Sequence, residues 1–169
     1  MITCIRCKQR PAVVFVTRVD NGETTNEYET VKPDLDVNNH ITGTITTYEK
    51  VGPKNEVYLG PGQKIAFKLV VKSAELPKRV DVACKAIEGG STHLSVVAAK
   101  NASDVFHGIR TPITSATAQY YSLTIWDNRF AAGKDDAQNP IRYLYVIIEN
   151  VATSGVLSVT DVKVAYDCK

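Results

Sequence analysis

Ile65, Phe67, Leu69 and Val71 fall at every second position, with Lys64, Lys68 and Lys72 among the residues between them. A period of two sends alternate side chains to opposite faces of a strand, one face covered and the other meeting water. The pattern returns in Val80, Val82, Cys84 and Ala86 against Asp81, Ala83 and Lys85. It returns again late in the chain, where Val162, Val164 and Tyr166 face in and Asp161, Lys163 and Asp167 face out. A helix has no use for such spacing. Composition points the same way, with 21 valines, 12 isoleucines and 16 threonines against eight leucines and one methionine. Branching at Cβ suits a pleated strand and restricts rotamers in a helix, which excludes a helical bundle.

Most apolar segments are short and bounded by turn residues. Ala12–Val19 stops at Asn21-Gly22, a hairpin dipeptide. Ile41–Val51 alternates isoleucine and glycine with threonine and ends at Gly52-Pro53. Glu56–Leu59 precedes Gly60-Pro61-Gly62, and a Gly89-Gly90 turn leads into His93–Ala99. Tyr120–Trp126 follows, then Ile141–Asn150, apolar on both faces and therefore a central strand. Val156–Tyr166 closes the series. Two stretches read as loops: Tyr28–His40, crowded with Pro33, Asp34, Asp36, Asn38 and Asn39, and the polar Asp127–Pro140. About nine or ten strands and no helix predict an all-β chain. The expected fold is a single antiparallel β-sandwich of jelly-roll type over 12–169, preceded by an N-terminal arm over 1–11. A chain of 169 residues buries roughly 70% of its unfolded surface, so it needs no metal or disulfide to fold.

Several segments carry a resemblance. They are Gly52–Gln63 (Gly-Pro-Lys-Asn-Glu-Val-Tyr-Leu-Gly-Pro-Gly-Gln), Val80–Ala86, Ser115–Tyr121, Val146–Asn150 and Gly155–Tyr166. Together they resemble a jelly-roll β-sandwich module repeated in large cell-surface proteins of Gram-positive gut bacteria, carbohydrate-binding-module-like and found among fibronectin-like and Ig-like modules. The resemblance runs over Gly52–Asp167 and implies a sandwich fold. It brings no catalytic set. The first 40 residues and Asp127–Pro140 lie outside it.

Four cysteines come next. Cys4-Ile5-Arg6-Cys7 is a CxxC pair with no second pair or paired histidines to complete a zinc site. Cys84 shares the covered face of its strand, which predicts a buried free thiol. Because first and last strands are commonly neighbours in a jelly roll, Cys4 or Cys7 is expected to bridge Cys168, with a local Cys4–Cys7 bridge, a metal site or free thiols as alternatives.

Sugar rings present flat C–H faces that pack on exposed aromatic rings, with polar groups alongside to fix orientation. Tyr120, Ser122, Thr124 and Trp126 share one face, opposite the more apolar Tyr121, Leu123 and Ile125. That places the single tryptophan outward, with Asp127, Asn128 and Arg129 beside it as hydrogen-bonding groups. The competing expectation buries Trp126 under the loop that follows. Tyr48, Tyr143 and Tyr145 are weaker candidates on the same logic.

Asp34-x-Asp36-x-Asn38 opens like an EF-hand loop, but position six is Asn39 and position twelve is Ile45, so that reading fails. No cofactor is expected, beyond a structural calcium on Asp34 and Asp36 or on Asp135 and Asp136. His40, His93 and His107 stand apart, and no nucleophile elbow, phosphate loop or dinucleotide fingerprint occurs. The chain is therefore expected not to be an enzyme. A net charge of +2 without a basic run does not indicate nucleic acid. The longest apolar runs fall far short of a membrane span, and the N-terminus lacks the apolar core of a signal peptide.

The expected function is a non-catalytic, extracellular or cell-surface module for carbohydrate recognition or adhesion, with a polysaccharide as partner. The alternative is a structural subunit of a surface layer, fibre or phage particle, with protein neighbours in the assembly.

Overall fold

The computed structural model describes residues 9–30, 35–36, 56–71, 76–87, 91–100, 105–126 and 129–166. These hold twelve strands: β1 (Gln9–Asp20), β2 (Glu23–Thr30), β3 (Leu35–Asp36), β4 (Val57–Leu59), β5 (Lys64–Val71), β6 (Pro77–Ala86), β7 (Thr92–Ala99), β8 (Val105–Ile113), β9 (Gln119–Thr124), β10 (Ala131–Lys134), β11 (Pro140–Asn150) and β12 (Leu157–Tyr166).

The strands form two six-stranded antiparallel sheets. One runs β2-β1-β12-β6-β9, with β4 also against β12; the other runs β3-β5-β11-β7-β8, with β10 also against β11. Neighbours such as β12 and β6 or β5 and β11 are distant in sequence, because the chain crosses repeatedly between sheets. This is an all-β sandwich of jelly-roll type. β11, expected to be central, lies between β5 on one side and β7 with β10 on the other.

The inner faces close on an aliphatic core. Ile65, Phe67 and Leu69 of β5 and Leu144, Val146 and Ile148 of β11 pack against Val80 and Val82 of β6 and Val162 and Val164 of β12. Each such side chain contributes about 1.5–3 kcal/mol on removal from water. In β12 the inward set changes parity, from Leu157 and Val159 to Val162 and Val164, across a bulge between Val159 and Asp161. The extra residue re-aims the strand so that both halves bury valine.

Four expectations are corrected. Tyr28–Thr30 extends β2 and Leu35–Asp36 pairs with β5, so Tyr28–His40 is not loop throughout; cross-strand pairing outweighs the polar composition. β8, unforeseen because Gly108 and Pro112 break its pattern, is held by β7. Within Asp127–Pro140, Ala131–Lys134 forms β10 and pairs with the start of β11. Of the stretch expected as an arm, Gln9–Pro11 already pairs with β12, since an adjoining strand offers its backbone partners. Residues 1–8 and the expected strand Ile41–Val51 lie outside the described residues.

Candidate functional site

Among the described residues β9 ends the strand order of its sheet, and it pairs with β6, from Gln119 opposite Cys84 to Thr124 opposite Arg79. The Ile125 N–H continues the pairing by donating to the Lys78 carbonyl at 2.8 Å. Alternation therefore carries through to Trp126. Leu123 and Ile125 are buried, while Tyr120, Ser122, Thr124 and Trp126 are all exposed on the outer face. Tyr120 and Trp126, 54% and 60% exposed, are the large hydrophobic residues that the described surface leaves open. They stand six positions apart along extended chain, about 20 Å at the usual rise. The indole stays exposed, the Arg129 N–H donates to the Trp126 carbonyl at 2.9 Å, and the Arg129 side chain is half-buried. Asp127 and Asn128 lie outside the described residues.

The face beside this row is polar and ordered. The Tyr120 hydroxyl donates to Asp161 on β12 at 2.5 Å, and Lys163 pairs with the same carboxylate at 3.4 Å while lying 5.5 Å from the Tyr120 ring centre. The bond to Asp161, then burial, pushes the Tyr120 phenol above its ordinary range. Lys163 is raised too, first by its bond with Tyr120 and then by Asp161. Deeper in the face, Asp81 is 4% exposed and accepts four hydrogen bonds. Two come from Arg79, at 2.7 and 3.1 Å, one from Ser122 at 2.6 Å and one from Gln9 at 3.1 Å. One buried carboxylate thus ties β1, β6 and β9. A third cluster joins Glu56 to Lys85 at 3.1 Å and to Ser158 at 2.8 Å. Tyr58 beside it is pushed up to about 12 by burial, with Glu56 adding to the effect.

Sequence reasoning found the aromatic row because parity along one strand reveals it. It missed the Asp81 and Asp161 clusters. Their outward parity was visible, but partners 72 and 41 positions away become neighbours only through the sheet order.

The other candidates fall elsewhere. Tyr143 and Tyr145 sit on the outer face of the second sheet, half-buried, with the Lys68 ammonium 4.7 and 5.8 Å from their ring centres. Tyr48 lies outside the described residues, as do Cys4, Cys7 and Cys168. Cys84 is a free thiol within the core, raised to about 12 by burial. Asp135 closes the β10–β11 turn, its carboxylate accepting the Asn139 N–H at 2.8 Å. Asp34 is outside the described residues, and no group of three His, Cys, Asp or Glu able to hold a metal occurs among those described.

No protein-family model matches the chain, and no curated protein matches it. Solved structures similar to it include a xylan-binding module, CBM15, at 12% identity and a TM-score of 0.46, covering 92% of this chain and 97% of that one. A CBM4 structure is similar at 14% identity and 0.44, covering 79% and 78%. A family two carbohydrate esterase from Clostridium thermocellum, in complex with cellohexaose, is similar at 11% identity and 0.37; 68% of this chain matches 27% of that one. At such values the fold rests on the strand pairing described above, and the function on the side chains of the outer face.

Proposed function

We propose that the protein is a non-catalytic carbohydrate-recognition module of the extracellular or cell-surface kind, docking a polysaccharide on the outer face beside β9. The observation that carries this is the pair of exposed rings, Tyr120 and Trp126, aligned on one strand with hydroxyl groups between them. Each ring offers a flat apolar surface to the C–H face of a sugar. Ser122, Thr124 and Arg79 lie where ring hydroxyls pass, and Asp161 with Lys163 fixes the plane of Tyr120 in advance, lowering the ordering cost of binding. The carboxylates Asp81 and Glu56 are buried and already hydrogen-bonded, which favours recognition over catalysis.

The chain has one tryptophan, so its fluorescence reports on this face alone. Titration with soluble xylan, mixed-linkage glucan, mannan and pectin is expected to shift or quench that emission for at least one of them. Electrophoresis through gels holding the same polymer should show retardation. Trp126→Ala and Tyr120→Ala are each expected to weaken binding about tenfold or more. If no polymer retards the protein, or if both variants bind as tightly as the parent, the reading fails.

A further inference from the structure

Tyr120, Ala83 and Asp161 lie in one row across the outer face of their sheet, Tyr120 paired with Ala83 and Ala83 with Asp161. β6 stands between β9 and β12, so Tyr120 and Asp161 are two strands apart, about 10 Å at the usual spacing. The Tyr120 hydroxyl nonetheless donates to the Asp161 carboxylate at 2.5 Å. An upright phenol would carry its hydroxyl out into solvent, beyond the reach of an aspartate side chain. Only a ring laid down across β6, above Ala83, closes that bond.

The burial of Ala83 agrees with this. Val80, Val82 and Cys84 turn into the core, so Ala83 turns to the outer face, yet it is 4% exposed. The neighbouring rows have the opposite arrangement of size. There the small Ser122 and Thr124 of β9 are paired with Asp81 and Arg79 of β6, whose side chains stand on the face and bond to each other. Only in the Tyr120 row does β6 supply the small residue and β9 the large one. A side chain as long as that of Asp81 or Arg79 at position 83 would occupy the ground that the phenol crosses.

We propose that Ala83 is the positioning residue of the carbohydrate face: its small side chain is the floor on which the Tyr120 ring lies, so that a glycan stacks there with its sugar ring parallel to the sheet. The inference rests on the carbohydrate reading of that face. A sugar packs its C–H surface on the face of an aromatic ring, not on its edge. Tyr120 is 54% exposed while its hydroxyl is held by Asp161, so a ring lying along the sheet keeps one face toward solvent and the other toward Ala83. Lys163, 5.5 Å from the ring centre and 3.4 Å from the same carboxylate, holds the far end of the row. With the ring already in place, binding does not bear the cost of ordering it.

Two measurements on the full chain test the proposal: titration with xylan, mixed-linkage glucan, mannan and pectin followed by Trp126 emission, and pH titration of the tyrosine rings by NMR. Ala83→Leu fills the ground under the ring. It is expected to weaken binding about tenfold or more, as Tyr120→Ala does, whereas Ala83→Ser keeps the floor low and binds within about twofold of the parent. In a Tyr120→Ala background, Ala83→Leu is expected to weaken binding no further, since no ring is left to lift. The Tyr120 phenol, raised in the parent chiefly by its bond to Asp161, is expected to fall toward its ordinary range in Ala83→Leu and to stay raised in Ala83→Ser. If circular dichroism shows that Ala83→Leu does not fold, Ala83→Val replaces it, with changes in the same direction. Unchanged binding in the leucine variant, or a loss as large without the Tyr120 ring as with it, overturns the proposal and leaves the carbohydrate reading standing. A phenol equally raised in Ala83→Leu overturns it as well, because the ring then does not rest on position 83. A parent chain that binds none of the four polymers overturns both.

Discussion

Asn150 is a polar side chain with no exposed surface, held at the end of β11 by bonds in every direction. Its Nδ2 donates to the Leu59 carbonyl at 2.9 Å and the Gly155 carbonyl at 3.1 Å. Its Oδ1 accepts the Thr92 hydroxyl at 2.6 Å and the Ala152 N–H at 3.1 Å. The amide therefore joins both sheets and the β11–β12 loop, and its two donors and its acceptor oxygen are all used. Gly155 is fixed beside it: its φ is +87°, and an added Cβ would come 2.5 Å from the Ser91 carbonyl. Truncation strands four partners at once, and each unpaired buried group costs about 1–3 kcal/mol before water or relaxation repairs it. Asn150→Ala is expected to lose roughly 3 kcal/mol or more in urea unfolding. Asn150→Asp should be as damaging, because a carboxylate has no hydrogens for Leu59 and Gly155. An aspartate variant as stable as the parent would mean that those two bonds contribute nothing.

Among the elements, β8 shows how a strand at the end of its sheet's described order can be both poor in local preference and fixed in place. Gly108 faces Val97 on β7, and a Cβ there would lie 2.6 Å from Val97 Cγ1 and 2.7 Å from the Val96 carbonyl oxygen. A valine rotamer can change, but the backbone oxygen cannot yield without moving β7. Gly108→Ala is accordingly expected to cost about 1–3 kcal/mol, with faster hydrogen exchange in β8 than in β5 or β11. Equal exchange in parent and variant would show that β8 docks without this close approach. The same strand marks where sequence reading stops. β5, β6 and β12 were legible because one buried face imposes a strict period of two. β8 and β10 were not: Gly108 and Gly133 are demanded by Val97 and by the Tyr143 ring, neighbours supplied only by the assembled sheet. The site divides in the same way. Parity along β9 announced Tyr120 and Trp126, whereas the cluster around Asp81 draws Gln9, Arg79 and Ser122 from three strands whose adjacency no local pattern encodes.

At the scale of the whole molecule, two covered faces pack on each other with little that can ionise between them, and this sets the response of the fold to pH. Cys84 lies within the core at 1% exposure, and burial holds its thiol neutral up to about 12, against an ordinary value of 9.0. Tyr58, buried on the opposite side of the same sheet, is held neutral to about 12 against 10.0, by burial and by Glu56. Both groups are acids whose neutral form the folded state prefers. The unfolded chain releases their protons first, so stability is complete below pH 9, falls as pH rises toward 12, and levels off above that. At about 1.4 kcal/mol per pH unit, keeping the one thiol protonated from 9.0 to about 12 removes roughly 4 kcal/mol from the fold, a large part of the usual margin. Around pH 9 the decline belongs mainly to Cys84, because Tyr58, with an ordinary value of 10.0, has barely begun to ionise there in the unfolded chain. Cys84→Ala separates the two groups. Its cavity lowers stability at every pH, but urea unfolding should then be nearly flat from pH 8 to 9 and fall clearly only as pH passes 10, where the raised tyrosines Tyr58, Tyr120 and Tyr121 act. A slope between pH 9 and 10 as steep in the variant as in the parent would place the alkaline weakness outside the core.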